Sequence, residues 1–271
     1  MTFNQNEYLN LLGELVSNNA ILTNHVGMKK NVDFIKKMLI QFGFEVKIFG
    51  DDTVTPIIYG VKKNPQSNGK VGLYSHYDVE ITNDNLWKTT STELSIVDDR
   101  LFGRGVADNL GIFLLRMFAI KDMEDNDLPE IHWLFQGQEE IASPLAHKVF
   151  PTINIPNVNV WFEETGYFDL GTARQRFLTI NEDKELEIAK KHIIEPLKDI
   201  DFSTYTENRS LTKFDPCPFL NHILKDNPYL AIGPNDEFSK IHQPNESLSI
   251  PLIEKSYYQF ILLMKYYTTC N

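Results

Sequence analysis

A chain of 271 residues, 42% of them hydrophobic, is long enough to bury the core of one large α/β domain. A formal charge of −11 and a pI near 5.1 argue against nucleic acid and anionic membranes as partners, because the mean field repels polyanions; small molecules or peptides fit better. No leader pattern or membrane-length apolar run is present, so the expected compartment is the cytoplasm, and Cys217 and Cys270, far apart and outside any C-x-x-C spacing, are expected to be reduced thiols.

Tyr8, Leu11, Leu12, Leu15 and Val16 recur at helical spacing, as do Val32, Ile35, Leu39 and Phe42 before Gly43, which predicts two core-facing helices. Short strands follow over Phe44 to Phe49, Ile57 to Val61 and Val71 to Ser75, with a hairpin over Leu94 to Phe102 that turns at Asp98-Asp99. Leu110 to Met123 is apolar all round and predicts a buried helix. Strands over Ile131 to Phe135, Val158 to Phe162 and Leu170 to Ile180 continue the alternation, which predicts an α/β fold of three layers with a mainly parallel sheet between helices. A charged helix over Lys184 to Leu197, a polar loop around Thr204 to Asn208, a strand over Tyr229 to Ile232 and a closing helix begun near Pro251 complete the chain.

Three of the apolar runs lead into metal-ligand residue types: His76 after the first, Glu139-Glu140 after the second, and Glu163 at the end of the third. In an open α/β sheet, side chains at neighbouring strand ends meet in one crevice, so this is the layout of a di-metal hydrolase. In His76-Tyr77-Asp78 both polar side chains project to one face of an extended backbone, which lets Asp78 orient the imidazole. Asp108 follows Gly103-Arg104-Gly105 and precedes the buried helix, where a short carboxylate can cap the helix or bridge two metals. Adjacent Glu139 and Glu140 repel one another unless cations share the site; one can bind metal while the other moves a proton. Glu163-Glu164 offers a similar choice, in which Glu163, directly ending the apolar run, is favoured and Glu164 is taken as a neighbour. His242, in the loop Ile241-His242-Gln243-Pro244-Asn245-Glu246, adds an imidazole.

Ser75-His76-Tyr77-Asp78-Val79, the turn Leu101 to Asp108, Gln138-Glu139-Glu140-Ile141-Ala142-Ser143, Phe162-Glu163-Glu164-Thr165 and the His242 loop, taken in this order, resemble the di-zinc peptidases and amidohydrolases of the carboxypeptidase G, aminoacylase, acetylornithine deacetylase and succinyl-diaminopimelate desuccinylase family. The resemblance implies a zinc exopeptidase-like catalytic domain with two Zn2+ per chain, replaceable by Co2+ or Mn2+. It assigns His76 and Glu163 to one zinc, Glu140 and His242 to the other, and Asp108 as the bridge. Asp78 orients His76, and Glu139 is the general acid/base, moving a proton from the attacking water to the leaving amine.

Two departures from the family pattern stand out. Where the family usually has a Lys before the glycine that follows the bridging Asp, this chain has Asn109-Leu110-Gly111, which leaves the ligand intact and is expected to alter the packing or the substrate rim, with Asn109 as a substrate-binding candidate. Residues 181–228 are too few for the family's inserted lid and dimerisation domain, so 1–271 is expected to be a single catalytic domain, a monomer, with 181–228 as a short replacement. Arg174, near the site, and His192, His222 and Arg209, within the short insertion, are then the candidates to replace the lid's donors, with Arg174 as the substrate-binding choice. The expected activity is hydrolysis of an amide bond in a dipeptide, an N-acyl amino acid or a peptide C-terminus. The alternatives are a single-domain zinc aminopeptidase, favoured by Asp108-Asn109, and a catalytically silent binding protein on the same fold.

Overall fold

The computed structural model describes residues 2–50, 53–164, 166–180, 184–194, 203–209 and 218–270. Helix α1 (Gln5–Ser17) begins at Asn4, whose side chain accepts the Glu7 N–H at 3.3 Å, and α2 (His25–Gln41) begins at Asn24, which accepts the Gly27 N–H at 3.1 Å. Gly43, with φ 81, takes the left-handed turn after α2 that favours glycine. Strands β1 (Glu45–Phe49), β2 (Ile57–Lys62) and β3 (Lys70–His76) follow, then the hairpin β4 (Ser95–Val97) and β5 (Arg100–Phe102). Helix α3 (Leu110–Asp122) is buried at every residue from Leu110 to Ile120, as its unbroken apolar sequence requires.

After α3 come β6 (Glu130–Gln136), α4 (Pro144–Val149), β7 (Val160–Glu163), β8 (Tyr167–Asp169), β9 (Arg174–Ile180), α5 (Lys184–Ile194), β10 (Ser203–Arg209), β11 (Tyr229–Ala231), β12 (Asn235–Asp236), β13 (Ser247–Ser249) and α6 (Ile250–Thr268). Among the described residues the main sheet runs β1-β2-β6-β3-β7-β11-β9-β8-β12, with β10 beside β9. Its centre, β6-β3-β7-β11, is parallel. Its flanks bring in antiparallel pairs, β1 with β2, β2 with β6, β9 with β11 and β8 with β9, so the expected α/β sheet between helices has a parallel centre and mixed flanks. Connection length accounts for one such flank: β8 reaches β9 through a four-residue turn, 170–173, and so short a link joins only antiparallel neighbours.

Helices α1, α2, α3 and α6 cover one face of the sheet around Phe113, Phe118, Trp133, Phe162 and Tyr257. On the other face, Tyr74, Leu134, Trp161 and Tyr229 pack against Phe150 and Phe219. Gly72 permits this second core, since a Cβ there would sit 2.2 Å from the Trp161 ring. The segment 204–208, expected as a loop, is β10, in parallel register with β9. Cys217 lies outside the described residues, while Cys270 is a half-buried free thiol. No helix among the described residues is long and apolar enough to cross a membrane.

A small sheet, β13-β5-β4, positions the site. Ser247 pairs with Phe102, so the chain leaving β5 toward Asp108 runs beside the chain that arrives from His242. Residues more than a hundred positions apart are thereby brought level with the carboxyl ends of β3, β6 and β7.

Candidate metal centre

His76 closes β3 and is 1% exposed. Its Nε2 lies 2.8 Å from Asp108 Oδ1, and its Nδ1 lies 3.1 Å from the Asp78 carbonyl and 3.4 Å from Asp78 Oδ1. The backbone oxygen of Asp78 is therefore the nearer partner of the ring. The Asp78 carboxylate also accepts the Glu140 N–H through Oδ2 at 3.1 Å, so one residue touches two elements of the site.

Asp108 presents its other oxygen, Oδ2, to His242 Nε2 at 3.0 Å. The same His242 nitrogen lies 3.0 Å from Glu140 Oε2, while Glu140 Oε1 accepts the Glu80 N–H at 3.1 Å. Ligand atoms of His76, Asp108 and Glu140 all fall within 4.8 Å of one another. Asp108 thus stands between two imidazoles with one oxygen turned to each.

Of the Glu163–Glu164 pair, the member that faces this cluster is Glu164. Its Oε1 lies 3.9 Å from His76 Nε2, whereas Glu163 Oε2 accepts the Tyr229 hydroxyl at 2.7 Å. Strand alternation is the cause: Trp161 and Glu163 point into the core shared with Tyr229, and Phe162 and Glu164 point to the α3 side. Beneath them Arg116, 2% exposed, donates to the carbonyls of Glu163 and Ile232 at 2.7 and 3.1 Å. Sequence reasoning gave Arg116 no role, because a cation inside an apolar helix carries no spacing signal.

Glu246 is the other residue that was missed. Fully buried, it accepts from Arg104 Nη1 at 2.8 Å and from the N–H groups of Gly105, Ala107 and Asp108 at 3.1, 2.8 and 3.1 Å. Its carbonyl accepts the Gly103 N–H at 3.3 Å. One residue therefore gathers the whole turn that delivers Asp108. It also anchors its own loop, in which Lys240, His242 and Asn245 have φ of 49, 60 and 64, a backbone region that costs energy for residues other than glycine. The only sequence signal was the conjunction of a Gly-Arg-Gly turn with a Glu four residues after a histidine.

Other expected contacts are placed elsewhere. Asn109 is 1% exposed at the N-cap of α3, with both side-chain polar atoms unpartnered, so it lies beneath the site and off the rim. Arg174 is exposed at the start of β9, in the field of Asp169. His192 packs against Tyr266 of α6, with ring centroids 4.7 Å apart. His222 lies on the turn Phe219–Leu224 that covers the second core, and the Arg209 side chain lies outside the described residues.

The electrostatics follow from this crowding. Burial pushes the Glu139 carboxyl up to about 7, aided by Asp108, Glu140 and Asp78 against the pull of His76. Burial likewise raises Glu140, and it raises Glu164 well above the carboxylate range, with Glu163 adding to the effect. Hydrogen bonds to Asp108 and Glu140 lift His242 to about 10. Burial opposes the charged form of His76, but its bonds to Asp108 and Asp78 outweigh that and raise it. Burial also works against ionised Asp108, whose pKa is nonetheless lowered by its two histidine partners. Protons on imidazoles and carboxyls thus balance a surplus of acidic groups. A pair of divalent cations fits the same donors, and Glu164 Oε2, buried without a hydrogen-bond partner, is an atom such a cation would satisfy.

Residues 72–169 match the profile described as Peptidase family M20/M25/M40. The chain is 26% identical to "Probable di- and tripeptidase DUG2" of Saccharomyces cerevisiae over 52% of its own length and 18% of that protein's. It is 29% identical to the succinyl-diaminopimelate desuccinylase of Rickettsia massiliae over 49% of its own length and 36% of the relative's. The matches thus span well under two thirds of these curated relatives. The structure of the di-peptidase Dug1p from Saccharomyces cerevisiae superposes with a TM-score of 0.75 at 12% identity, covering 97% of this chain and 96% of that one, which shows a shared fold. Over residues 72–169 the chain thus resembles the M20 peptidases, and as a whole it has the fold of Dug1p.

Proposed function

We propose that this chain hydrolyses an amide bond in a small substrate, a dipeptide, an N-acyl amino acid or a peptide C-terminus, with two zinc ions held at the centre described above. The observation that carries the reading is the position of Asp108, with one carboxylate oxygen 2.8 Å from His76 and the other 3.0 Å from His242. In this reading Asp108 would serve both ions, Glu140 and His242 would hold one, and His76 would hold the other with Glu164, since Glu163 accepts the Tyr229 hydroxyl. Co2+ or Mn2+ suits the same donors.

Bound cations of this kind supply Lewis acidity to the scissile carbonyl and acidify the attacking water. The chain's own residues do the rest. Asp78 fixes the His76 ring through the atom on Nδ1, leaving Nε2 for the centre. Glu139, beside the ligands but held by no hydrogen bond to its carboxyl group from the described residues, takes a proton from the attacking water and passes it to the leaving nitrogen. Its carboxyl, raised to about 7, is matched to both directions of that transfer near neutral pH.

The same reading takes 1–271 as one catalytic domain acting as a monomer, with 181–228 in place of a lid. Relatives named as a di- and tripeptidase and as a desuccinylase support amide cleavage of small substrates. The test is a panel of dipeptides and N-acyl amino acids, with amino or carboxyl ends blocked in turn, assayed with added zinc, cobalt or manganese. Metal-dependent turnover that tolerates a blocked α-amine is expected. A strict requirement for a free α-amine, with indifference to the carboxylate, would instead establish the aminopeptidase alternative, and metal-free, inert protein would establish the silent binding protein.

A further inference from the structure

Arg116 is the charged residue of the buried stretch Leu110 to Ile120 in α3, and no step proposed above makes use of it. Burying a guanidinium is costly, and an apolar side chain of similar volume is often no worse for stability, so stability alone does not account for the residue. We infer that Arg116 is a positioning residue that clamps the peptide group leading into Glu164 and so holds that carboxyl toward His76, as a ligand of one of the two ions. The inference rests on the two-ion reading above.

The clamp sits where the sheet stops. The ladder between β7 and β11 ends at the pair Glu163 and Ala231, so Glu164 is the first residue beyond the strand. A single nitrogen of Arg116, Nη2, donates to the Glu163 carbonyl at 2.7 Å and to the Ile232 carbonyl at 3.1 Å, which ties the two strand ends together. The Glu163 carbonyl belongs to the planar peptide group that carries the Glu164 nitrogen. Fixing that oxygen therefore fixes the plane from which Glu164 departs.

The backbone after Glu164 is packed as closely. A Cβ on Gly233 would sit 2.4 Å from the Glu164 carbonyl oxygen, and one on Gly166 would sit 1.9 Å from the Gly233 nitrogen. Glu164 is thus gripped from both sides, and Arg116 supplies the grip from α3.

The guanidinium is itself seated, with its central carbon 5.7 Å from the centroid of the Phe260 ring of α6. Its Nη1 is buried with no hydrogen-bond partner among the described residues, so the residue is not there to complete a hydrogen-bond network. Burial opposes its charge, and the largest influence sustaining that charge is Glu164, followed by Glu163. No hydrogen bond among the described residues joins Arg116 to Glu140 or His242, which confines its action to the His76 side.

The test measures zinc affinity by calorimetry in two backgrounds: His242→Ala, which leaves the His76, Asp108 and Glu164 donors, and His76→Ala, which leaves those of Asp108, Glu140 and His242. Arg116→Met should weaken zinc by about 10- to 100-fold in the first, the range for losing a contact that supports a ligand, and leave the second unchanged. Arg116→Lys, which can return a donor to the carbonyls, should recover part of the loss. Phe118→Leu, a buried change on the α1 side of the same helix, should lower stability and leave both affinities as they are. An equal loss in both backgrounds, or the same loss with Phe118→Leu, makes Arg116 a general structural residue and overturns the inference. Unchanged affinity overturns it too, as does a gain, which would mean that the guanidinium acts on the ion as a repelling charge. If Arg116→Met does not fold, Arg116→Lys is judged by the same comparison. If the unaltered chain takes up no zinc, the two-ion reading fails, and crystal structures of the metal-free chain decide the clamp separately. Glu164 Oε1 lies 3.9 Å from His76 Nε2 in the unaltered chain; its displacement in the Arg116 variant supports the clamp, and an unmoved Glu164 overturns it.

Discussion

Replacing Glu139 with Gln is expected to lower kcat by about 10²- to 10⁴-fold with no loss of bound zinc, the range that general acid–base groups contribute. The substitution keeps the shape and removes the ionisable oxygen. No hydrogen bond from the described residues holds the Glu139 carboxyl, so no structural partner is stranded when it becomes an amide. Its environment, in contrast, is built for proton exchange: burial, Asp108, Glu140 and Asp78 raise it to about 7 against the pull of His76. Steady-state kinetics, with zinc quantified on the same sample, check the outcome. A variant that keeps more than a tenth of the kcat assigns the proton transfer to another group.

Replacing Glu246 with Ala is expected to be the most destabilising single change at the site, costing about 3–5 kcal/mol as for a broken buried ion pair. Arg104, 4% exposed, would keep its charge with no carboxylate opposite, and three backbone N–H groups of the 105–108 turn would lose their acceptor. The more conservative Glu246→Gln retains one carbonyl oxygen but turns an NH₂ group toward donors, so a smaller loss is expected. Metal affinity should weaken by about 10- to 100-fold in either variant, because Asp108 and the strained loop around His242 are both pinned by this carboxylate. Denaturant unfolding and chelator competition read the two effects separately. Unchanged stability in both variants would show that the turn is held by other contacts.

The legible part of the sequence was the part with periodicity or punctuation. The apolar run from Leu110 announced α3, the spacing of Tyr8 to Val16 announced α1, and Asp98-Asp99 announced the hairpin of β4 and β5. His76, Asp108, Glu140 and His242 could be gathered because each ends or follows an element whose edge the sequence marks. The Glu163–Glu164 choice could not be read that way. Which of two adjacent carboxyls faces α3 depends on the phase of strand alternation, and the phase is set by packing of Trp161 and Phe162 on opposite faces, seen only in three dimensions. Glu246 and Arg116 were illegible for a related reason: apart from the Arg104 guanidinium on Glu246, their hydrogen-bond partners are backbone groups of distant segments, which leave no residue-type signature. The antiparallel flanks of the sheet were hidden too, since strand order is fixed by pairings, such as β2 with β6, between segments far apart in the chain.

The most direct measurement of the central claim is calorimetric titration of the full chain with zinc, together with Asp108→Asn. Two zinc ions per chain are expected, with protons released on binding and affinity that rises with pH, because His76 and His242, both raised in the absence of metal, must give up their protons to become ligands. Asp108→Asn should hold the pair far more weakly. Zinc content near zero at saturating concentration, or a stoichiometry unaffected by Asp108→Asn, would contradict a bridged two-ion centre.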